Sequence, residues 1–296
     1  MHITAIGEIL FDVFPDSKKP GGAPFNFIYH IIRLTGNGIF ISRVGNDTDG
    51  KEILAYLKSK KINTDHIQVD ERHPTGIVNV SLQKHGVPVF EILPERAYDY
   101  IEKNNSINDL ISRETELLYF GTLAQRQKVS KETIQSLWGK SIKYFCDINL
   151  RQNFYSCDTI ELSLYNSSIV KINSGELNII SKLLSIEFRD RKEIAGFLIN
   201  KYDLDILCIT LGSEGAEIFN KYEQSKHTEK TTGVIDTVGA GDAYSAILCI
   251  GYLKDWDINT INKLASKFAS DICKIRGALP AEENFYTKYL DIIRNE

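Results

Sequence analysis

The chain has 296 residues, 43% of them hydrophobic, and 35 Lys plus Arg against 39 Asp plus Glu give a formal net charge of −4. That is enough apolar material for one large core or two modest ones, and without a basic run the charge excludes nucleic acid and anionic membranes as expected partners. Five widely spaced cysteines (Cys146, Cys157, Cys208, Cys249, Cys273) without a CxxC pair read as reduced thiols in a cytoplasmic protein without a zinc site.

The opening stretch MHITAIGEILFDVF has no basic leader, and Glu8 and Asp12 interrupt its apolar run, so a signal peptide is not expected. The longest apolar run, YSAILCIGYL, spans ten residues, short of the roughly 18 that a membrane helix needs. Along the chain, runs apolar on both faces occur at 3–6, 38–42, 117–120, 144–148, 168–172 and 206–211. Each predicts a strand covered on both sides. Between them lie stretches with helical spacing, such as GKEILAYLKSK, where Ile53, Leu54 and Leu57 form one stripe. The alternation predicts an α/β fold with a mostly parallel sheet and helices on both faces. From His66 to about Tyr100 the pattern changes to period two, with segments 77–82 and 88–92 joined across KHGVP. That predicts an antiparallel hairpin in a small sheet standing off the core. With no repeat or low-complexity linker, residues 1–296 are expected to form one domain. His66, His73 and His85 lack metal-ligand spacing and are expected to be solvent-exposed.

In open parallel sheets ligands sit beyond the carboxyl ends of the strands. Polar residues gather there: Asp12 after the first strand, then Asp147, Asn149 and Arg151, then Asn173 and Glu176, then Thr210 and Gly212. A small-molecule enzyme site is expected. The stretch DTVGAGDAYSA, residues 236–246, offers the chemistry. Gly239 and Gly241 allow a tight turn that leaves amides free as a helix begins, and free amides at the positive end of a helix dipole make an anion site. A carboxylate beside it, Asp242, suits deprotonation of a hydroxyl while a phosphoryl group is stabilised. The same residues also fit an aspartate-capped helix after a glycine loop. There is no GxxxxGK[ST], and no GxGxxG opening a helix after a strand, so any phosphate must bind at 239–242.

Two separated stretches, GGAPFNFIYHIIRLTGNGIFISRVGNDTDG (21–50) and DTVGAGDAYSA, resemble the N-terminal and C-terminal signatures of the ribokinase-like, or PfkB, carbohydrate kinases. The likeness extends through KINSGE, TLGSEGA and RGALPA and covers nearly the whole chain. It implies a three-layer αβα ribokinase-like fold with a β-sheet lid, here residues 13–20 and 66–100, and transfer of the ATP γ-phosphate to a sugar hydroxyl with Mg²⁺. It also implies residue roles. Asp242 matches the catalytic base, and Gly239, Ala240 and Gly241 the anion hole. Asp12, Gly22 and Asn26 match sugar-binding positions. Asn173 and Glu176 match the pair that organises Mg²⁺ through water, while Thr210, Gly212 and Gly215 fall where nucleotide is held. Asp236 and Thr237 match a loop that in some members binds a monovalent cation such as K⁺. A homodimer paired through the lids is compatible with the likeness. Two departures are Ile28, where a small residue is common, and Ser266, where many members have an asparagine near the nucleotide.

The stretches FGTLAQR, DINLRQNFYS and PERAYDY look most like the fructokinase branch, so fructose is the expected acceptor. Ribose, 2-keto-3-deoxygluconate or a nucleoside are alternatives, and a non-catalytic sugar- or nucleotide-binding regulator is the alternative of another class. A phosphosugar would call for extra Lys or Arg groups, which GGAPFN does not offer. Arg151 reads as a ligand for a sugar hydroxyl or the transferring phosphate, or else as an ion-pair partner of Asp147 or a neighbour. Gln125 reads as facing the sugar or as an ordinary loop residue. Phe90, Tyr98 and Tyr100 offer rings for stacking on a sugar, or for packing within the flap.

Overall fold

The computed structural model describes residues 1–82, 88–187 and 190–295; the expected turn at 84–87, with His85, lies outside them. In chain order the elements begin with β1 (Ile3–Ile6), β2 (Leu10–Phe14), β3 (Ser17–Gly21) and α1 (Ala23–Thr35). β4 (Ile39–Gly45), α2 (Thr48–Ser59), β5 (Ile67–Asp70), β6 (Gly76–Leu82), β7 (Pro88–Ile92) and α3 (Asn105–Arg113) follow. Next come β8 (Leu117–Gly121), α4 (Lys128–Ser136), β9 (Lys143–Asp147), α5 (Cys157–Tyr165), β10 (Ile169–Asn173) and α6 (Ser174–Leu183). The chain closes with α7 (Arg191–Tyr202), β11 (Ile206–Thr210), β12 (Ala216–Phe219), β13 (Gln224–His227), α8 (Ala240–Leu253), α9 (Ile258–Ile272) and α10 (Thr287–Asn295).

The six runs apolar on both faces become β1, β4, β8, β9, β10 and β11, parallel neighbours in a sheet of order β13-β12-β11-β10-β9-β8-β1-β4-β5. Only the β11-β12-β13 end is antiparallel. Side chains alternate between two cores because the strand period is two. In β8, Leu117 and Tyr119 join the layer of α1, α8 and α9, while Leu118 and Phe120 join that of α3 to α7. Helix α8 is apolar nearly all round, with every residue from Ala243 to Gly251 buried, the pattern of an internal helix; it packs between α1 and α9. Among the described residues no helix is long and apolar enough to cross a membrane.

A second sheet has the order β3-β2-β6-β7. The expected hairpin is β6 and β7. The parallel pairing of β2 with β6, Leu10 opposite Gly76 through Val13 opposite Asn79, joins two segments distant in the chain. The extent expected for the lid, 13–20 and 66–100, needs correction. Its strands cover 10–21, 76–82 and 88–92, and β5 belongs to the main sheet beside β4, because Ile67 packs into the main core. Tyr98 is fully buried with Leu10, Val78, Val80, Ile92 and Leu123, and Tyr100 stacks on His73 at 3.5 Å between ring centroids. The Tyr98 ring is thus closed to a ligand and one face of Tyr100 is covered, whereas Phe90 is exposed. His73 is half-buried and bonded to Asp70 at 3.1 Å, so it is not simply solvent-exposed. Ile28 is buried in the core.

Candidate active site

The first turn of α8 is set by a contact that the sequence does not reveal. Gly239, its N-cap residue, has φ 79, and a Cβ there would fall 2.3 Å from the Cβ of Ala278. Both the left-handed backbone and the packing of the RGALPA loop therefore require glycine. Among the described residues the amides of Gly241 and Asp242 have no acceptor, as expected for a helix start. Asp242, in this turn, is half-buried, and its Oδ2 accepts from Asn26 Nδ2 at 2.7 Å. Burial pushes its carboxyl up to about 7, and the Asp147 charge adds to this; the Asn26 hydrogen bond, Lys171 and Arg151 pull it back. A base with that value is matched to neutral pH.

Beneath this turn lies a charge network. Asp147, at the end of β9, accepts on Oδ2 from Lys171 at 2.6 Å, Ser245 at 2.9 Å and Tyr119 at 3.0 Å. Buried Lys171 Nζ lies 3.6 Å from where a Cβ on Gly241 would stand. Lys171 was not among the expected site residues, and its one signal in the sequence is a lone charge inside the apolar run SIVKI. Arg151 does not pair with Asp147. It is exposed, its Nη1 donates to the Leu150 carbonyl at 3.3 Å, and its charge opposes the upward push of burial on the carboxyls of Glu8, Asp12 and Asp242.

These groups define one compartment on the α1 side of the helix start. A Cβ on Gly21 would meet the Asp12 carboxylate at 2.5 Å, and one on Gly22, where φ is 112, would meet the Glu8 carbonyl at 2.5 Å. Asp12, Gly22, Asn26 and Asp242 thus lie in one neighbourhood, and the Arg151 charge reaches both of its aspartates. Burial raises the Asp12 carboxyl to about 6. Glu8, whose charge also stood inside an apolar run, is an unforeseen member. Gln125 is not a member. It is 2% exposed, and its amide donates to the Gly121 carbonyl at 3.0 Å and Ser163 at 3.1 Å. The 3-10 turn of residues 123–125 buries the side chain against α5 instead of aiming it at the compartment.

On the other side of the helix start is a cavity of about 710 Å³, lined by Asn173, Thr210, Gly212, Gly215, Thr237 and Ser266. Ala240 and Gly241 form part of its wall, so the free amides lie between cavity and compartment. Gly212 leaves open space where a Cβ would be, while a Cβ on Gly215 would lie 2.0 Å from the His227 carbonyl; glycine there serves the strand crossing. Asn173 and Glu176 form a capping box at the start of α6. Glu176 Oε2 accepts from the Asn173 amide and Oε1 from the Leu150 amide, both at 2.8 Å. Asp236 ties two loops together, accepting from the amides of Val238 at 3.1 Å and Gly277 at 2.9 Å.

Comparison with known proteins identifies the family. Residues 7–284 match the pfkB family carbohydrate kinases. The sugar kinase PH1459 of Pyrococcus horikoshii, described as uncharacterized, is 30% identical over 299 residues, covering 93% of this chain and 91% of its own. Its solved complex with ATP superimposes with a TM-score of 0.81 over 98% of this chain and 99% of that one. A fructokinase of Salmonella typhimurium is 24% identical over 258 residues, 82% of each chain. A fructokinase double mutant of Vibrio cholerae, solved with fructose, ADP and potassium, is 23% identical with a TM-score of 0.80 over 97% of each chain. The chain belongs to the pfkB family of carbohydrate kinases.

Proposed function

We propose that this chain transfers the γ-phosphate of ATP to a sugar hydroxyl, with fructose the leading acceptor. The observation that carries the reading is the junction at α8: one carboxylate with its value raised to about 7 beside two free amides, between a cavity and a polar compartment. In the reaction Asp242 takes the proton of the acceptor hydroxyl, the new O–P bond forms, the bond from the γ-phosphorus to the bridging oxygen breaks, and ADP leaves. The Gly241 and Asp242 amides would meet the charge on the transferring group, and Arg151, exposed at the same compartment, is free to orient it. Asp12 and Asn26 bind acceptor hydroxyls.

Mg²⁺ would neutralise phosphate charge. Each Glu176 oxygen uses one lone pair on an amide and keeps capacity for a water, which fits an ion that dehydrates reluctantly; Asn173 and Glu176 would hold it through water. The Vibrio cholerae fructokinase was solved with potassium; here a monovalent cation would be bound by backbone carbonyls at Asp236 and Thr237, in the loop that the Asp236 carboxylate ties down through the Val238 and Gly277 amides. A panel of sugars with ATP and Mg²⁺ tests the reading. Fructose should give the highest kcat/KM; a higher value for ribose, 2-keto-3-deoxygluconate or a nucleoside would replace the acceptor, and no turnover with any would leave a binding protein.

A further inference from the structure

We propose that Glu8 is a specificity-determining residue of the acceptor compartment: its carboxylate receives one hydroxyl of a neutral polyhydroxy acceptor and disfavours sugar acids and sugar phosphates. The proposal rests on the acceptor role assigned above to the compartment beside Asp242.

Glu8 is 2% exposed, yet its Oε2 has no hydrogen-bond partner among the described residues. Buried polar atoms in native proteins are nearly always partnered, so an orphan oxygen marks a place for a ligand or a water. No cation pairs with it among the described residues. The charges of Arg151 and Arg126 reach it, but Arg151 is exposed and donates to the Leu150 carbonyl. Arg126 gives Nε and Nη2 to Asp99 at 2.7 and 2.8 Å, and Nη2 also to the Leu93 carbonyl at 2.8 Å, leaving a buried Nη1 unpartnered. Glu8 is therefore not half of a structural ion pair.

Its position is that of the acceptor. A Cβ on Gly22 would stand 3.3 Å from Glu8 Cγ, as one on Gly21 would stand 2.5 Å from Asp12 Oδ2, so the two glycines step the backbone aside where both carboxylate side chains pass. Four residues on, Asn26 holds Asp242 through Nδ2 and leaves its own Oδ1 buried and unpartnered. Two orphan acceptors thus flank the glycine step. Their chemistry selects hydroxyl donors, and with Arg151 the one cation whose charge reaches Glu8, Asp12 and Asp242 alike, the three carboxylates outnumber it and disfavour an anionic acceptor.

The test uses the full-length protein, the best acceptor from the sugar panel and its monodeoxy analogues, with Glu8→Ala and Glu8→Gln. Calorimetric sugar affinity is read beside kcat/KM. Turnover by the wild type tests the kinase reading, and the variants test Glu8 whether or not turnover occurs. Glu8→Ala should weaken sugar binding at least about tenfold, and the loss should fall below about twofold with one deoxy analogue while persisting with the others. An effect below twofold on the parent sugar, or an equal loss across all analogues, would overturn the proposal. Glu8→Gln, which keeps the shape, should narrow the preference for the neutral sugar over the corresponding sugar acid at least about threefold; an unchanged preference refutes the proposal even where the alanine variant does not fold.

Discussion

Replacing Asp242 by asparagine separates catalysis from stability in one residue. The amide keeps the shape and can still accept from Asn26, but it cannot take a proton. General-base help is worth about 10²–10⁴ in rate, roughly 3–5 kcal/mol, so kcat should fall at least about 100-fold with sugar and ATP binding largely kept. Stability should move the other way. The Asp242 carboxyl is raised from 3.8 to about 7, so between those values the folded protein holds a proton that the unfolded chain has lost. Wild-type stability therefore falls as pH rises through that window, and the penalty is complete above it. Three units correspond to at most about 4 kcal/mol; water entering the cleft reduces this to about 1–3 kcal/mol. For a chain of 296 residues that is a gain of about 2–5 °C in Tm for the variant at pH 8, shrinking toward zero at pH 4. Thermal scans at both pH values and rapid-quench kinetics under conditions where phosphoryl transfer limits the rate provide the assay. If more than about a tenth of kcat survived, the helix start would be a phosphate site without a base, and Asp12 would be the next candidate. A variant no more stable than wild type at pH 8 would refute burial as the cause of the raised value.

Gln125→Ala should leave the KM for sugar within about twofold and lower stability by roughly 1–3 kcal/mol, because its buried amide bonds are lost; chemical denaturation beside steady-state kinetics checks both. Glu176→Gln should raise the Mg²⁺ concentration needed for half-maximal rate and leave sugar affinity nearly intact; a large loss of sugar binding with normal Mg²⁺ dependence would reverse that role. A lid that closes over the acceptor excludes water from the transfer, so amide exchange in β6 and β7 should slow when sugar binds, and unchanged protection would argue against closure.

The elements that local pattern determines were legible in the sequence. All six doubly apolar runs became main-sheet strands to within three residues at either end, because a strand buried on both faces has no polar position to blur its pattern. The helix start at Asp242 was legible as well, since two glycines, a carboxylate and an apolar run mark one, but the Ala278 contact that requires glycine at 239 was not. What only the tertiary structure decided is which side chains share a compartment. The parallel β2–β6 pairing builds the small sheet that encloses Tyr98, and the β4–β5 pairing assigns β5 to the main sheet, though β5, β6 and Tyr98 lie in a stretch with the same alternating look. Gln125 and Glu8 show the same divide in opposite directions. Gln125 reads as a strand-end polar group but turns into α5, whereas Glu8 reads as an interruption of an apolar run but lies beside Gly22. Such facing is set by contacts between segments far apart in the chain, and a one-dimensional pattern carries only the periodicity of neighbours.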